Sequence, residues 1–150
     1  MKVILQKVKK ASVSVDGKIV GKIDKGYCLL VGVHKESMEA DAKYLAKKIV
    51  EARLFEDENE KLNLGLKDVG GSILSISQFT LYADTKKGKR PSFTNAAGAD
   101  KANELYNRFN DYLREENIKV ETGIFQTMME VNIINDGPVT IIYEKLSSGN

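Results

Sequence analysis

The sequence predicts an α+β fold of mostly antiparallel sheet, with two main helices packed on one face. Three features carry that reading: short β-rich runs separated by turn residues over 1–33, two apolar stripes at helical spacing, and a return to strand patterning from Ile118. With 150 residues the chain is long enough for one domain, residues 1–150, that buries about two-thirds of its unfolded surface around one core.

The runs Val3–Val8 and Ser12–Asp16 lead into Asp16-Gly17, a dipeptide that tolerates the left-handed φ values of a tight hairpin. Ile19, Val20 and Ile23 continue the returning strand. Gly26 then restarts the chain into Tyr27–Val33, apolar enough throughout to be a central strand. Ser37 is the cap expected for a helix over 38–54, with Glu39 in its first turn and Met38, Ala42, Leu45, Ala46, Ile49 and Ala52 as its apolar stripe. Residues 57–61 form a charged loop. Residues 65–71 form another, whose glycines have the spacing of a phosphate loop but lack its lysine, which argues against a nucleotide site.

Residues 72–84, set between Gly70-Gly71 and Asp84-Thr85, read as a strand. A surface loop with Gly88, Pro91 and Gly98 follows, and then a second helix capped by Asp100, with Ala102, Leu105, Tyr106, Phe109, Tyr112 and Leu113 on its buried stripe. Strands are expected at 118–122, 129–135 and 139–143, the last two joined by a turn at Asn135-Asp136-Gly137-Pro138, and the tail 147–150 should fray.

Composition removes several chemistries. Cys28 is the single cysteine, so no disulfide forms within the chain, and its apolar surroundings make it a core thiol. His34 is the single histidine and follows no nucleophile-elbow motif, which makes a Ser-His-Asp or Cys-His hydrolase unattractive. No ligand spacing for a metal is recognisable, and no cofactor is expected. The first apolar run breaks after three residues and no stretch approaches the ~18 needed to span a membrane, so the expected location is the cytoplasm, with no membrane partner. The net charge of +2 does not by itself announce a nucleic-acid binder, but Lys86, Lys87, Lys89 and Arg90 cluster directly after the 72–84 run, where phosphate contacts would arise.

That run breaks the usual pattern. Ser75 and Ser77 share one face with Ile73, Phe79 and Leu81, while Gln78 and Thr80 share the other with Leu74, Ile76 and Tyr82. Polar groups set among large apolar ones must find partners, since leaving one buried and unsatisfied costs about 1–3 kcal/mol. Rule-breaking of this kind concentrates at functional sites.

Ser77-Gln78-Phe79-Thr80-Leu81 and Asn135-Asp136-Gly137-Pro138-Val139-Thr140, in this order, resemble the two signature motifs of the D-aminoacyl-tRNA deacylases (D-tyrosyl-tRNA deacylase family). The resemblance extends through Val8–Val15, Phe55, Lys61-Leu62-Asn63, Arg90-Pro91-Ser92-Phe93, Thr122-Gly123, Phe125 and Met129, and so covers essentially the whole chain. It implies a three-layer α/β/β arrangement and a homodimer that hydrolyses the ester of D-aminoacyl-tRNA, the active site lying at the subunit interface. It also implies that backbone N–H groups around Gln78, Phe79 and Thr80 bind the scissile carbonyl, with Ser77 in support. Either Thr80 or the 2′-hydroxyl of the terminal adenosine would take part in the attack. Gly137-Pro138 would be cis and would enter the partner's site to exclude L-residues, a filter that leaves glycyl-tRNA as a substrate. Met129 would line the amino-acid pocket or serve the core. Gln126, Thr127 and Met128 depart from the family pattern, which bears on side-chain preference. The alternative reading is a non-catalytic module that binds aminoacylated tRNA 3′ ends.

Overall fold

In chain order the elements are β1 (Lys2–Val15), β2 (Lys18–Ile23), β3 (Gly26–Gly32), α1 (Glu39–Glu51), β4 (Phe55–Glu56), β5 (Leu62–Leu64), β6 (Ser72–Ser77), a 3₁₀ turn at Phe79–Tyr82, α2 (Ala99–Glu115), β7 (Val120–Thr122) and β8 (Glu130–Glu144). The structure is a computed structural model and describes residues 1–147. The first half of β1 pairs antiparallel with β3, its second half pairs with β2, and β8 runs antiparallel along its other edge. Beyond β3 the sheet continues through β6 and β7, both parallel to their neighbours.

Alternation along the strands explains how the layers form. Tyr27, Leu29 and Val31 of β3 point into a core with Leu45, Ile49, Phe109 and Leu113 of the helices, while Cys28 faces a second cluster with Val8, Val13, Leu74 and Ile76. β1 serves both cores: Val3 and Leu5 face the helices, and Val8, Ala11 and Val13 face the second cluster after register shifts near Val8. The result is helices, sheet and sheet in three layers, as the resemblance implies. Burial pushes the Cys28 thiol up to about 12, the behaviour of an inert core residue. Asp16 and Gly17, with φ of 51° and 80°, make the predicted hairpin between β1 and β2.

Four expectations are corrected. Residues 72–84 are not one strand: β6 stops at Ser77 and the chain winds into the 3₁₀ turn. The cap of α1 is Met38, whose N–H is held by Asp41 Oδ2 at 2.9 Å, while the Ser37 hydroxyl accepts instead from the His34 N–H and the Met1 amino group. The cap of α2 is Gly98, with Asp100 in the first turn. The segment 129–143 is not two strands around a turn. It is one long strand whose register against β1 jumps, with two steps from Gln6 to Val8 facing five from Asn135 to Thr140. Asn135 fastens the bulge, its side chain reaching the Val139 N–H and the Thr140 hydroxyl at 3.4 Å each. The hairpin of β4 and β5 flanking the 57–61 loop had no strong sequence signal. Of the tail, Ser147 is bound to Asp41, and 148–150 lie outside the described residues.

Among the described residues, no helix is long and apolar enough to cross a membrane. Nor, among them, do three or more His, Cys, Asp or Glu residues come together to hold a metal ion.

Candidate functional site

A cavity of about 630 Å³ opens at the carboxyl ends of the parallel strands β3 and β6. Val31, Val33 and Ile76 form its floor, Ala97, Ala99 and Ala102 at the start of α2 form one side, and Phe125, Met129 and Val131 form the other. The rim carries Ser77, Gln78, Phe79 and Thr80 together with Gln126, Thr127 and Met128. Not one of the lining side chains is ionisable at neutral pH. Four of the predicted site residues and Met129 are thus brought together, in a cavity that has no acid, base or nucleophile activated by a neighbouring base.

The break in β6 creates the distinctive backbone. Val31 pairs with Ser77, and the Gln78 N–H closes the ladder onto the Val31 carbonyl at 2.7 Å, so that group is spent within the sheet. At the far end of the turn Leu81 N–H bonds the Gln78 carbonyl at 3.4 Å and Ala83 N–H bonds the Thr80 carbonyl at 3.0 Å. The N–H groups of Phe79 and Thr80, at the opening of the turn, are left with no partner among the described residues. The donors expected around Gln78, Phe79 and Thr80 therefore narrow to two. The Gln78 side chain has another use: its amide nitrogen donates to Thr80 Oγ1 at 3.0 Å and fixes that hydroxyl. Gly32 permits the turn to pack this closely, because a Cβ there would sit 3.0 Å from Leu81 Cβ and 3.2 Å from the Gln78 carbonyl.

Met129 lines the cavity and packs against the second core cluster. Gly123 makes room for it, since a Cβ there would run into the Met129 sulfur. Gln126 holds a left-handed φ of 61° without being glycine, and Met128 is 91% exposed at the rim. Not every polar group of β6 finds a partner. Ser75 Oγ is buried without one, although the Ser75 carbonyl accepts the Tyr106 hydroxyl at 2.6 Å.

Other predicted residues lie elsewhere on the chain. The Gly137-Pro138 peptide is cis, with Gly137 at φ 118°, and both residues are exposed on the β8 bulge rather than lining this chain's cavity. Lys86, Lys87, Lys89 and Arg90 are exposed on a loop closed by the two backbone hydrogen bonds between Asp84 and Ser92. The alanines of the cavity wall escaped sequence reasoning; the run Ala96-Ala97-Gly98-Ala99, small residues with no patterning, was the one available hint.

The family model described as D-Tyr-tRNA(Tyr) deacylase matches residues 4–144. The chain belongs to the D-Tyr-tRNA(Tyr) deacylase family. A D-aminoacyl-tRNA deacylase of Staphylococcus saprophyticus is 63% identical over 144 residues, covering 96% of this chain and 95% of that one. Among solved structures, one titled c-Myc DNA Unwinding Element Binding Protein is 37% identical with a TM-score of 0.90, covering 97% of this chain and 99% of that one. A probable eukaryotic D-amino acid tRNA deacylase, 17% identical with a TM-score of 0.79 over 95% of this chain and 97% of that one, shares the fold. Membership of the deacylase family makes the chain an enzyme, a hydrolase of carboxylic esters, and the cavity its candidate active site.

Proposed function

We propose that residues 1–150 act as one domain that hydrolyses the ester of D-aminoacyl-tRNA in the cytoplasm, releasing tRNA and the free D-amino acid. The observation that carries this is the pairing of two unspent N–H groups, on Phe79 and Thr80, with a cavity that holds no ionisable side chain. An aminoacyl ester is activated enough to be cleaved by such a site. Two preorganised donors stabilise the oxyanion of the tetrahedral intermediate, each worth roughly 3–4 kcal/mol when removed from a comparable site. The proton leaving the attacking water has no base among the lining side chains, so the 2′-hydroxyl of the terminal adenosine relays it: its oxygen accepts that proton as its own proton passes to the departing 3′-oxygen. Ser77 supports the turn, and Gln78 holds the Thr80 hydroxyl in place.

Handedness is read by main chain. D- and L-acyl groups carry the same atoms, so they are told apart only by clashes or unpaired polar groups set against the wrong hand. Gly137-Pro138 stands exposed on the bulge and has no Cβ at Gly137 to prevent close approach, so it fits into the cavity of a second copy. The active form is then a homodimer in which each protomer supplies the carbonyls of residues 137 and 138 to its partner. A filter of this kind has nothing to exclude in glycine, and glycyl-tRNA mischarged on tRNA-Ala is also cleaved. Lys86, Lys87, Lys89 and Arg90 contact the tRNA backbone.

The test is single-turnover release of tyrosine from D-Tyr-tRNA and L-Tyr-tRNA across protein concentrations that span dimer dissociation. Rapid release from the D-ester alone, falling away as the dimer dissociates, is the expected result. Equal rates on both esters, or full activity as a monomer, would overturn the filter. Binding without release would favour the non-catalytic module instead.

A further inference from the structure

The 3₁₀ turn has two sides. Phe79 and Thr80 face the cavity described above, and Leu81 and Tyr82 form the floor of a second one, of about 360 Å³. Four residues far apart in sequence, Lys2, His34, Lys86 and Asn95, converge on its walls. Two carboxylates share the walls, each with one oxygen engaged: Asp84 Oδ1 accepts the Lys86 N–H at 3.0 Å, and Glu144 Oε2 accepts the Tyr82 hydroxyl at 3.2 Å.

The donors are not engaged in the same way. The Lys86 ammonium and the Asn95 amide have no partner among the described residues. His34 Nδ1 accepts the Glu36 N–H at 3.0 Å, which leaves the neutral ring's proton on Nε2 as a donor. The ring stands edge-on to Tyr82 at 5.0 Å between centroids, which fixes its orientation. Lys2 Nζ lies 5.0 Å over the Tyr82 ring and reaches the Leu81 carbonyl at 3.4 Å, a weak hold for an ammonium.

The two ammonium groups offset the two carboxylates, and the four donor groups outnumber the two carboxylate oxygens left without a partner, so the cavity suits a ligand made only of acceptor oxygens. We propose that it holds a phosphodiester of the substrate's own 3′ strand, next to the esterified nucleotide. This deepens the catalytic reading and rests on it. Acyl end and phosphate would be gripped by opposite sides of one turn, so that ground-state binding of the strand positions the ester against the Phe79 and Thr80 N–H groups.

Three substrates with the same acyl group test it: D-Tyr-tRNA, a D-tyrosyl CpCpA trinucleotide, and D-tyrosyl adenosine, which has no phosphodiester. Lys86→Gln is the principal variant, because Lys86 is exposed and its side chain contacts nothing that folds the turn. His34→Gln is the second. The expected result is a lower ratio of kcat/KM for trinucleotide over adenosine in each variant. In Lys86→Gln the dependence of log kcat/KM on log salt should also become shallower by about 0.7 for the trinucleotide, the loss of one single-strand phosphate contact. An unchanged ratio and slope in both variants overturn the inference. So does a loss on D-tyrosyl adenosine equal to that on the trinucleotide, which would trace the effect to a displaced turn. Failure of the unaltered protein to release tyrosine from D-Tyr-tRNA is failure of the catalytic reading, and the inference falls with it.

Discussion

The cavity at Ser77–Thr80 and the polar cluster at the base of α1 use opposite materials. The cluster is built on charge: buried Asp41 binds the Ser147 N–H at 3.1 Å, the Ser147 hydroxyl and the Met38 N–H, and it lies near the Met1 amino group, whose pKa burial lowers to about 6. The cavity presents backbone donors, one amide pair and apolar walls. Perturbed ionisable groups are usually a guide to active sites. In this chain they mark structural anchors, and the candidate active site is recognised by main-chain geometry, which suits the proposal that tRNA brings its own hydroxyl to the reaction. Altering backbone should therefore cost rate, altering charge should cost stability, and altering a side-chain hydroxyl in the cavity should cost little of either.

The largest effect is expected from Gly137→Ala. At φ 118° an L-residue is strained, and the new Cβ would come within 2.9 Å of Val139 Cγ2, so the bulge must shift. Displacing a substrate-positioning element by an ångström costs about a hundredfold in kcat/KM, and that loss is expected on D-Tyr-tRNA. The strain itself is only about 1–2 kcal/mol, so the variant stays folded and its melting temperature drops by a few degrees. Activity within a factor of about three of the unaltered protein would show that the handedness filter lies elsewhere.

Asp41→Asn probes the other region. Burial raises the Asp41 carboxyl, but hydrogen bonds from Ser147 and the Met38 N–H outweigh that, and the net pKa lies below its ordinary value. A carboxylate with a lower pKa folded than unfolded contributes stability that is present above the unfolded value of about 4 and lost as pH falls through the folded one. The variant should lose about 1–3 kcal/mol at pH 7. It should also lose less further stability on acidification than the unaltered protein, while turnover of D-Tyr-tRNA stays within a factor of about two. Urea melts at pH 7 and in the acid range measure both. A rate loss without a stability loss would dissolve the contrast between the two regions.

Much of this was legible in the sequence. The Asp16-Gly17 hairpin, the apolar β3 and the stripes of both helices follow from local periodicity, except that α1 ends at Glu51 rather than 54, with Met38 its exposed cap and Ala52 beyond its end. Local patterning failed where a longer-range contact decides the geometry. Residues 78–84 have strand-forming composition, yet Gly32 on the neighbouring strand admits a tight turn there, and the ladder ends as soon as the Gln78 N–H reaches Val31. Residues 135–138 have turn chemistry, yet pairing with β1 on both sides keeps β8 running through them as a bulge. The second cavity was illegible because its four donors come from positions 2, 34, 86 and 95, joined only by the fold.

Thr80→Val should have the smallest effect and divides the two mechanisms most sharply. A hydroxyl acting as nucleophile or as proton carrier needs a base within reach, and such a group contributes roughly 10²–10⁴ in rate. Here Thr80 Oγ1 accepts from the Gln78 amide at 3.0 Å, and no lining side chain is able to take its proton. Valine keeps the shape and the residue 80 N–H, losing only the hydroxyl and the bond it accepts from the amide of half-buried Gln78. Single-turnover release from D-Tyr-tRNA should therefore fall by less than about tenfold. Esters on a 3′ end lacking the 2′-hydroxyl should react far more slowly with variant and parent alike, since that group is the one the protein does not supply. A thousandfold loss in the valine variant, with the melting temperature unchanged, would return the chemistry to the protein's own side chain.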